Sequence, residues 1–172
     1  MESQHEWIEP LPSGHLGTLH TLETMRKLAR KDYSRPRARA VVEYLRTCGD
    51  VVEGAFRFAR DCIRYFEDPP GIERVQDFEN SSINQAGDCD DKAVWLATAL
   101  LAANIPVRFV VQSYDGNFWE NGWDHVYLEY YSFDQWDWVG LDPTADGHTG
   151  IIADIGWRQP LPQPGIEWRF EI

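Results

Sequence analysis

Cys89, His125 and Asp142 are the residues of this 172-residue chain whose types and settings suit nucleophilic chemistry. Cys89 follows Asp88, a helix-capping residue type, and leads into Ala93, Val94, Leu96, Ala97, Leu100 and Leu101 at helical spacing. It therefore reads as the first residue of a helix, where the partial positive charge of the N-terminus favours a thiolate. Asp88, Asp90 and Asp91 work against this, because neighbouring negative charge raises a thiol pKa. Activation then requires a histidine cation. Of the five histidines, His5, His15 and His20 lie in the N-terminal stretch and His148 in a Gly-rich loop, whereas His125 opens a strand candidate.

The spacing around His125 supplies its partner. In the strands predicted over His125 to Tyr131 and Trp136 to Leu141, Val126, Leu128, Tyr130, Val139 and Leu141 form one apolar face. His125, Tyr127 and Glu129 then share the other face with Trp138, Gly140 and Asp142. A hairpin turning about Phe133 and Asp134 pairs 131 with 136, 129 with 138, 127 with 140 and 125 with 142, placing Asp142 directly across from His125. A carboxylate there holds the imidazole in one tautomer. Such a set fits thiol acyl transfer: Cys89 attacks a carbonyl, His125 takes and returns the proton, and Asp142 orients the ring. Besides the backbone N–H of Cys89, a polar side chain on the preceding loop, Gln85 or Asn84, suits a second oxyanion donor. Trp95, deeper in the helix, reads as packing.

Four blocks carry a family resemblance: Gly87-Asp88-Cys89-Asp90-Asp91-Lys92-Ala93, Asn104-Ile105-Pro106-Val107-Arg108, His125-Val126-Tyr127-Leu128-Glu129 and Leu141-Asp142-Pro143-Thr144. Together, over about residues 50 to 144, they resemble the transglutaminase-like superfamily of papain-related thiol enzymes. The resemblance implies a papain/transglutaminase-like core whose Cys-His-Asp triad falls on Cys89, His125 and Asp142. A second stretch, Ile63-Arg64-Tyr65-Phe66-Glu67-Asp68-Pro69 with Ile72-Glu73-Arg74-Val75-Gln76, resembles the small members encoded by phages and prophages. It implies a viral or prophage origin, often near virion morphogenesis genes, with virion structural proteins among the partners to expect, and it fixes no substrate.

The elements that must position these residues are mostly periodic. Leu19, Leu22, Met25, Leu28 and Ala29 mark a helix over Thr18 to Tyr33; a second begins at Pro36 and stops at Gly49. Asp50 with Glu53 opens a third, in which Cys62 reads as a small core residue beside Ile63 and Phe66. Residues 67 to 87 show no clear period and read as a long functional loop. After the nucleophile's helix come strands at Val107 to Gln112, at the two segments above and at Ile166 to Ile172, with a Pro- and Gly-rich loop between Pro143 and Pro164. Helices first and antiparallel strands second make the fold class α+β. The chain reads as one domain: a helical N-terminal extension over 1–49, a catalytic core over 50–144, and a C-terminal loop and strand over 145–172.

Composition narrows the function. A net charge of −12 disfavours general nucleic-acid binding, and no apolar run approaches the length of a membrane span. Residues 87–172 carry 4 basic and 14 acidic side chains, so the acid gathers in the half that holds the candidate site. The basic cluster from Arg26 to Arg39 reads as the wet side of two helices. Met1 to Pro10 lacks a secretory pattern, and Cys48, Cys62 and Cys89 suggest neither a disulfide framework nor a thiolate metal site, so a cytoplasmic protein is expected. Asp134, Asp137, Asp142 and Asp146 lack calcium-loop spacing; no metal and no cofactor is predicted. The expected activity is hydrolysis of an amide or peptide bond in a peptide or protein substrate, transamidation differing only in the acceptor. A non-catalytic virion or assembly protein is the alternative. A third reading is a cell-wall peptide binder using an aromatic wall at Trp119 and Trp123.

Overall fold

The computed structural model describes residues 6–10, 14–70, 72–113, 118–144 and 166–172, with backbone alone for 6–10, 14, 15, 118, 166 and 167. The predicted loop after Thr144, with Asp146 and His148, lies outside the described residues, as do His5 and the side chain of His15.

Helices α1 (Gly14–Asp32), α2 (Pro36–Cys48) and α3 (Val51–Asp61) arise where the apolar periodicity places them. Pro36 starts α2, and Gly49 ends it at a φ of 128°, a conformation that costs glycine little. Asp50 caps α3 by accepting the Glu53 N–H at 2.9 Å. Helix α3 stops at Asp61, earlier than its apolar pattern suggests, and this corrects the reading of Cys62. Beyond the last turn its side chain is exposed, while Ile63 is buried.

The segment read as a loop is structured. Short strand β2 (Arg64–Tyr65) pairs in parallel with β4 (Ala86–Gly87), and β3 (Ile72–Gln76) pairs antiparallel with β1 (Glu6–Pro10). Helix α4 (Phe78–Asn84) lies between β3 and β4, capped by Asp77, which accepts from the Asn80 N–H at 2.9 Å. These elements are too short for periodicity to show, and their partners are distant in sequence.

Helix α5 (Cys89–Ala102) is the centre of the molecule. Ala93, Val94, Trp95, Leu96, Ala97, Ala99 and Leu100 are all fully buried, as expected of a helix surrounded on every side. Trp95 stacks on Phe58 at 4.5 Å and on Phe78 at 5.2 Å, and its indole N–H donates to Ser82 Oγ at 2.9 Å. Helices α1 and α2 share this core through Leu22, Met25, Ala29, Ala38 and Leu45.

Against α5 lies an antiparallel sheet of β5 (Val107–Ser113), β6 (His125–Ser132), β7 (Asp137–Leu141) and β8 (Ile166–Glu171), in the order β7-β6-β5-β8. A one-turn helix, α6 (Phe118–Asn121), precedes β6. The apolar face is the predicted one: Val126, Leu128, Tyr130 and Leu141 join Val107, Phe109 and Val111 in the core. The other face is closed at Glu129, which accepts from Arg108 at 2.7 Å and Arg169 at 3.2 Å, with Arg108 over the Trp138 ring. The architecture is thus α+β, helices followed by an antiparallel sheet that packs on the helix bearing Cys89.

Candidate active site

Cys89 is the first residue of α5, and Asp88 occupies the capping position without making a capping hydrogen bond of normal geometry. The local bend depends on Gly87. A Cβ built there would lie 2.6 Å from Asp91 Cβ, far inside contact distance, so only glycine allows β4 to run this close to the first turn of α5. Asp91 in turn accepts from both the backbone N–H and the side-chain amide of Gln76 at 2.6 Å each, which ties α5 to β3.

His125 is the first residue of β6, at the strand end that α5 approaches. Its Nε2 lies 2.7 Å from Asp142 Oδ2, and both side chains are buried. The partnership was predicted, but the register differs. Leu128 pairs with Leu141 and Ser132 with Asp137, so a four-residue turn over 133–136 shifts β7 two places from the expected pairing. Trp136 takes a left-handed φ of 56° in that turn and is highly exposed. A shift of two preserves the sheet face, so Asp142 meets His125 diagonally instead of directly.

Asp142 is held from a second direction. Thr144 donates its backbone N–H to Asp142 Oδ1 at 2.9 Å and its hydroxyl at 2.5 Å, and its Oγ1 lies 3.4 Å from His125 Nε2. Burial would raise the Asp142 carboxyl, but the His125 and Thr144 hydrogen bonds outweigh it and hold the group below its ordinary range. Lys92, itself buried, donates to the Pro143 carbonyl at 3.2 Å and so anchors this segment to the helix that carries Cys89.

Cys89 is partly buried. Burial pushes its thiol well above the usual value and the Asp88 charge adds to the effect, while the backbone N–H of Val126 pulls it down; Asp142 and Glu73 raise it further. The Val126 N–H that acts on the sulfur belongs to the residue after His125, at the start of β6. Tyr65, half-buried on β2, is another neighbour: burial raises its phenol, and the charges of Cys89 and Asp88 follow as causes.

The other predicted site residues are differently placed. Asn84 donates its side-chain amide to Gln76 Oε1 at 2.7 Å. Gln85 is exposed at a left-handed φ of 49°, its carbonyl accepting from the Arg64 N–H. Trp123 packs against the core cluster, whereas Trp119 is exposed and meets Trp168 edge-on at 5.2 Å. Thr144, Lys92, Gln76 and Tyr65 were not singled out from the sequence, although all four sit inside its quoted motif blocks.

A helix that starts at a thiol and packs on an antiparallel sheet bearing a histidine–carboxylate pair is the α+β architecture of a transglutaminase-like fold. Residues 23–143 match the family described as the transglutaminase-like superfamily, and the chain belongs to it. Similar solved structures include the periplasmic domain of TgpA from Pseudomonas aeruginosa, at 23% identity over 70% of this chain and 48% of that one, with a TM-score of 0.48. Another is LapG of Legionella pneumophila, at 20% identity over 78% of this chain and 73% of that one, with a TM-score of 0.43. The chain therefore spans about half the length of the TgpA domain. No curated protein sequence matches it. These matches do not bear on the viral origin that the second motif stretch implies. Among the described residues, no helix is long and apolar enough to cross a membrane.

Proposed function

We propose that the protein is a thiol acyl-transfer enzyme that hydrolyses an amide or peptide bond. The observation that carries this reading is the 2.7 Å contact between His125 Nε2 and Asp142 Oδ2, made where the Cys89 sulfur meets the start of β6. With Nε2 engaged by the carboxylate, Nδ1 is the nitrogen that exchanges a proton with the thiol. Cys89, held neutral by burial and neighbouring acid, gives its proton to His125 as it attacks the carbonyl carbon, and Asp142 stabilises the imidazolium. His125 then protonates the leaving amine, and water, deprotonated by the same imidazole, hydrolyses the thioester. The N–H of Cys89, in the first turn of α5 where backbone donors lack helical partners, suits the oxyanion. The Tyr65 phenol, kept protonated, is the better second donor, because Asn84 is committed to Gln76.

The substrate is a peptide or protein segment. The test is incubation of the purified chain with a peptide library, with and without a labelled primary amine. Product masses gaining water assign hydrolysis, and masses gaining the amine assign transamidation. Cys89→Ala should abolish either; turnover surviving in that variant would overturn the proposal.

A further inference from the structure

The turn between β6 and β7 lies at the end of β6 away from His125, since the strand runs from His125 to Ser132, roughly 23 Å at the rise of extended chain. Phe133 and Trp136 are the first and last residues of that turn, next to the Ser132–Asp137 pair that closes the hairpin. Trp136 is 78% exposed and Phe133 56%. Trp136 also holds a left-handed φ of 56°, which glycine takes at no steric cost and a bulky side chain takes only against strain. Among the described residues its ring stacks on no other and its indole N–H has no acceptor. Asp134 is exposed in the same turn, and its carboxylate has no donor among the described residues.

Folding does not account for Trp136. Glycine or asparagine there would relieve the strain, and a polar side chain would take an aromatic ring out of water. The turn is nevertheless fixed: the Gln135 N–H donates to Ser132 Oγ at 3.3 Å, and Asp137 accepts from the Trp138 N–H at 2.8 Å. Behind it the sheet already contains the kind of group that such a surface holds. Tyr131 meets Phe133 edge-on at 5.3 Å and Trp138 at 5.6 Å. Over Trp138 lies the Arg108 guanidinium, 4.1 Å from the ring centroid, with its Nε 2.7 Å from the Glu129 carboxylate. Ring face and carboxylate both attract a cation, and there they share one. Trp136 and Asp134 present the same two groups to solvent.

We propose that the β6–β7 turn is a docking point for a basic segment of a partner protein, an arginine side chain lying on Trp136 and pairing with Asp134. Charge complementarity selects this occupant. Residues 133–137 carry two carboxylates and no basic side chain, on a chain whose net charge is −12. A neutral glycan would leave both carboxylates without a counter-charge, and an anionic membrane would be repelled by them. Arginine suits the turn better than lysine, because a planar guanidinium stacks on a ring while its N–H groups still reach a carboxylate. The turn stands apart from Cys89, so its occupancy is read without turnover.

The test is fluorescence anisotropy of a fluorescein-labelled peptide of alternating Gly and Arg, titrated with the full-length protein at about 0.15 M NaCl to screen unspecific attraction. Saturable binding with a Kd below about 1 mM is expected, weaker for the Lys counterpart and absent for the Ser counterpart. Trp136→Gly leaves the net charge unchanged and should weaken binding about tenfold, with Tm equal or higher because the strain is gone. Asp134→Asn should weaken it about threefold, whereas Glu43→Gln, which removes the same charge from α2, should not. No saturable binding, equal affinity in Trp136→Gly, or an equal loss in Asp134→Asn and Glu43→Gln would overturn the proposal. So would binding of chitohexaose or of phosphatidylcholine vesicles that depends on Trp136 without binding of the Arg peptide, which would assign the turn to a glycan or to a membrane surface.

Discussion

The His125–Asp142–Thr144 chain sets what individual side chains are expected to do. His125→Ala removes the proposed general base and should lower kcat/KM by about 10²–10⁴-fold, measured on the best peptide from the library. Thr144→Val keeps the volume but removes one donor to Asp142, so the carboxylate loses a constraint on its aim. A fall in kcat of about tenfold with KM little changed is expected, and Thr144→Ser should restore most of it. The Asp142 carboxyl is held below its usual value, so its contribution to stability is present above the ordinary carboxylate range and is lost as pH falls through its lowered folded value. Thermal melts of wild type and Asp142→Asn should therefore differ at pH 7 and converge as the pH drops below about 4. At this scale the sequence was informative about identity and less so about role. Thr144 stood in a motif block with no function attached to it, because a hydroxyl two residues from a carboxylate becomes a clamp only when the chain turns back between them.

Among the elements, the junction of β4 with α5 is where one atom decides the geometry. Gly87→Ala would place a methyl group against Asp91 and should cost about 1–3 kcal/mol, read as a lower urea midpoint at unchanged slope. Long periodic elements were legible: α1, α2, α3, α5 and all four strands of the large sheet lie close to where the pattern puts them. The stretch from Glu67 to Gly87 was not. Strand β3 exists because β1, more than sixty residues earlier, pairs with it, and α4 has seven residues, fewer than two turns are needed to show a period. Cys62 was misread for a related reason: the apolar pattern continues past the point at which the chain leaves α3 to form β2.

For the molecule as a whole, stability rests on a helix with no solvent face. Trp95→Ala empties the space between Phe58 and Phe78 and leaves Ser82 without its indole donor; a loss of about 3–5 kcal/mol in chemical denaturation is expected, with Cys89 displaced as α5 loosens. The fold class, the helix that starts at Cys89 and the sheet face shared by His125 and Asp142 follow from sequence, since each depends on local period or on a parity that a two-residue slip leaves intact. Tertiary structure alone decided the diagonal contact that joins those two side chains, the Lys92 anchor beneath them and the burial of Asp90 and Asp91 in the first turn of α5. Those features depend on which distant segments share a volume, and along a single chain neither hydrophobic period nor residue spacing encodes that distance.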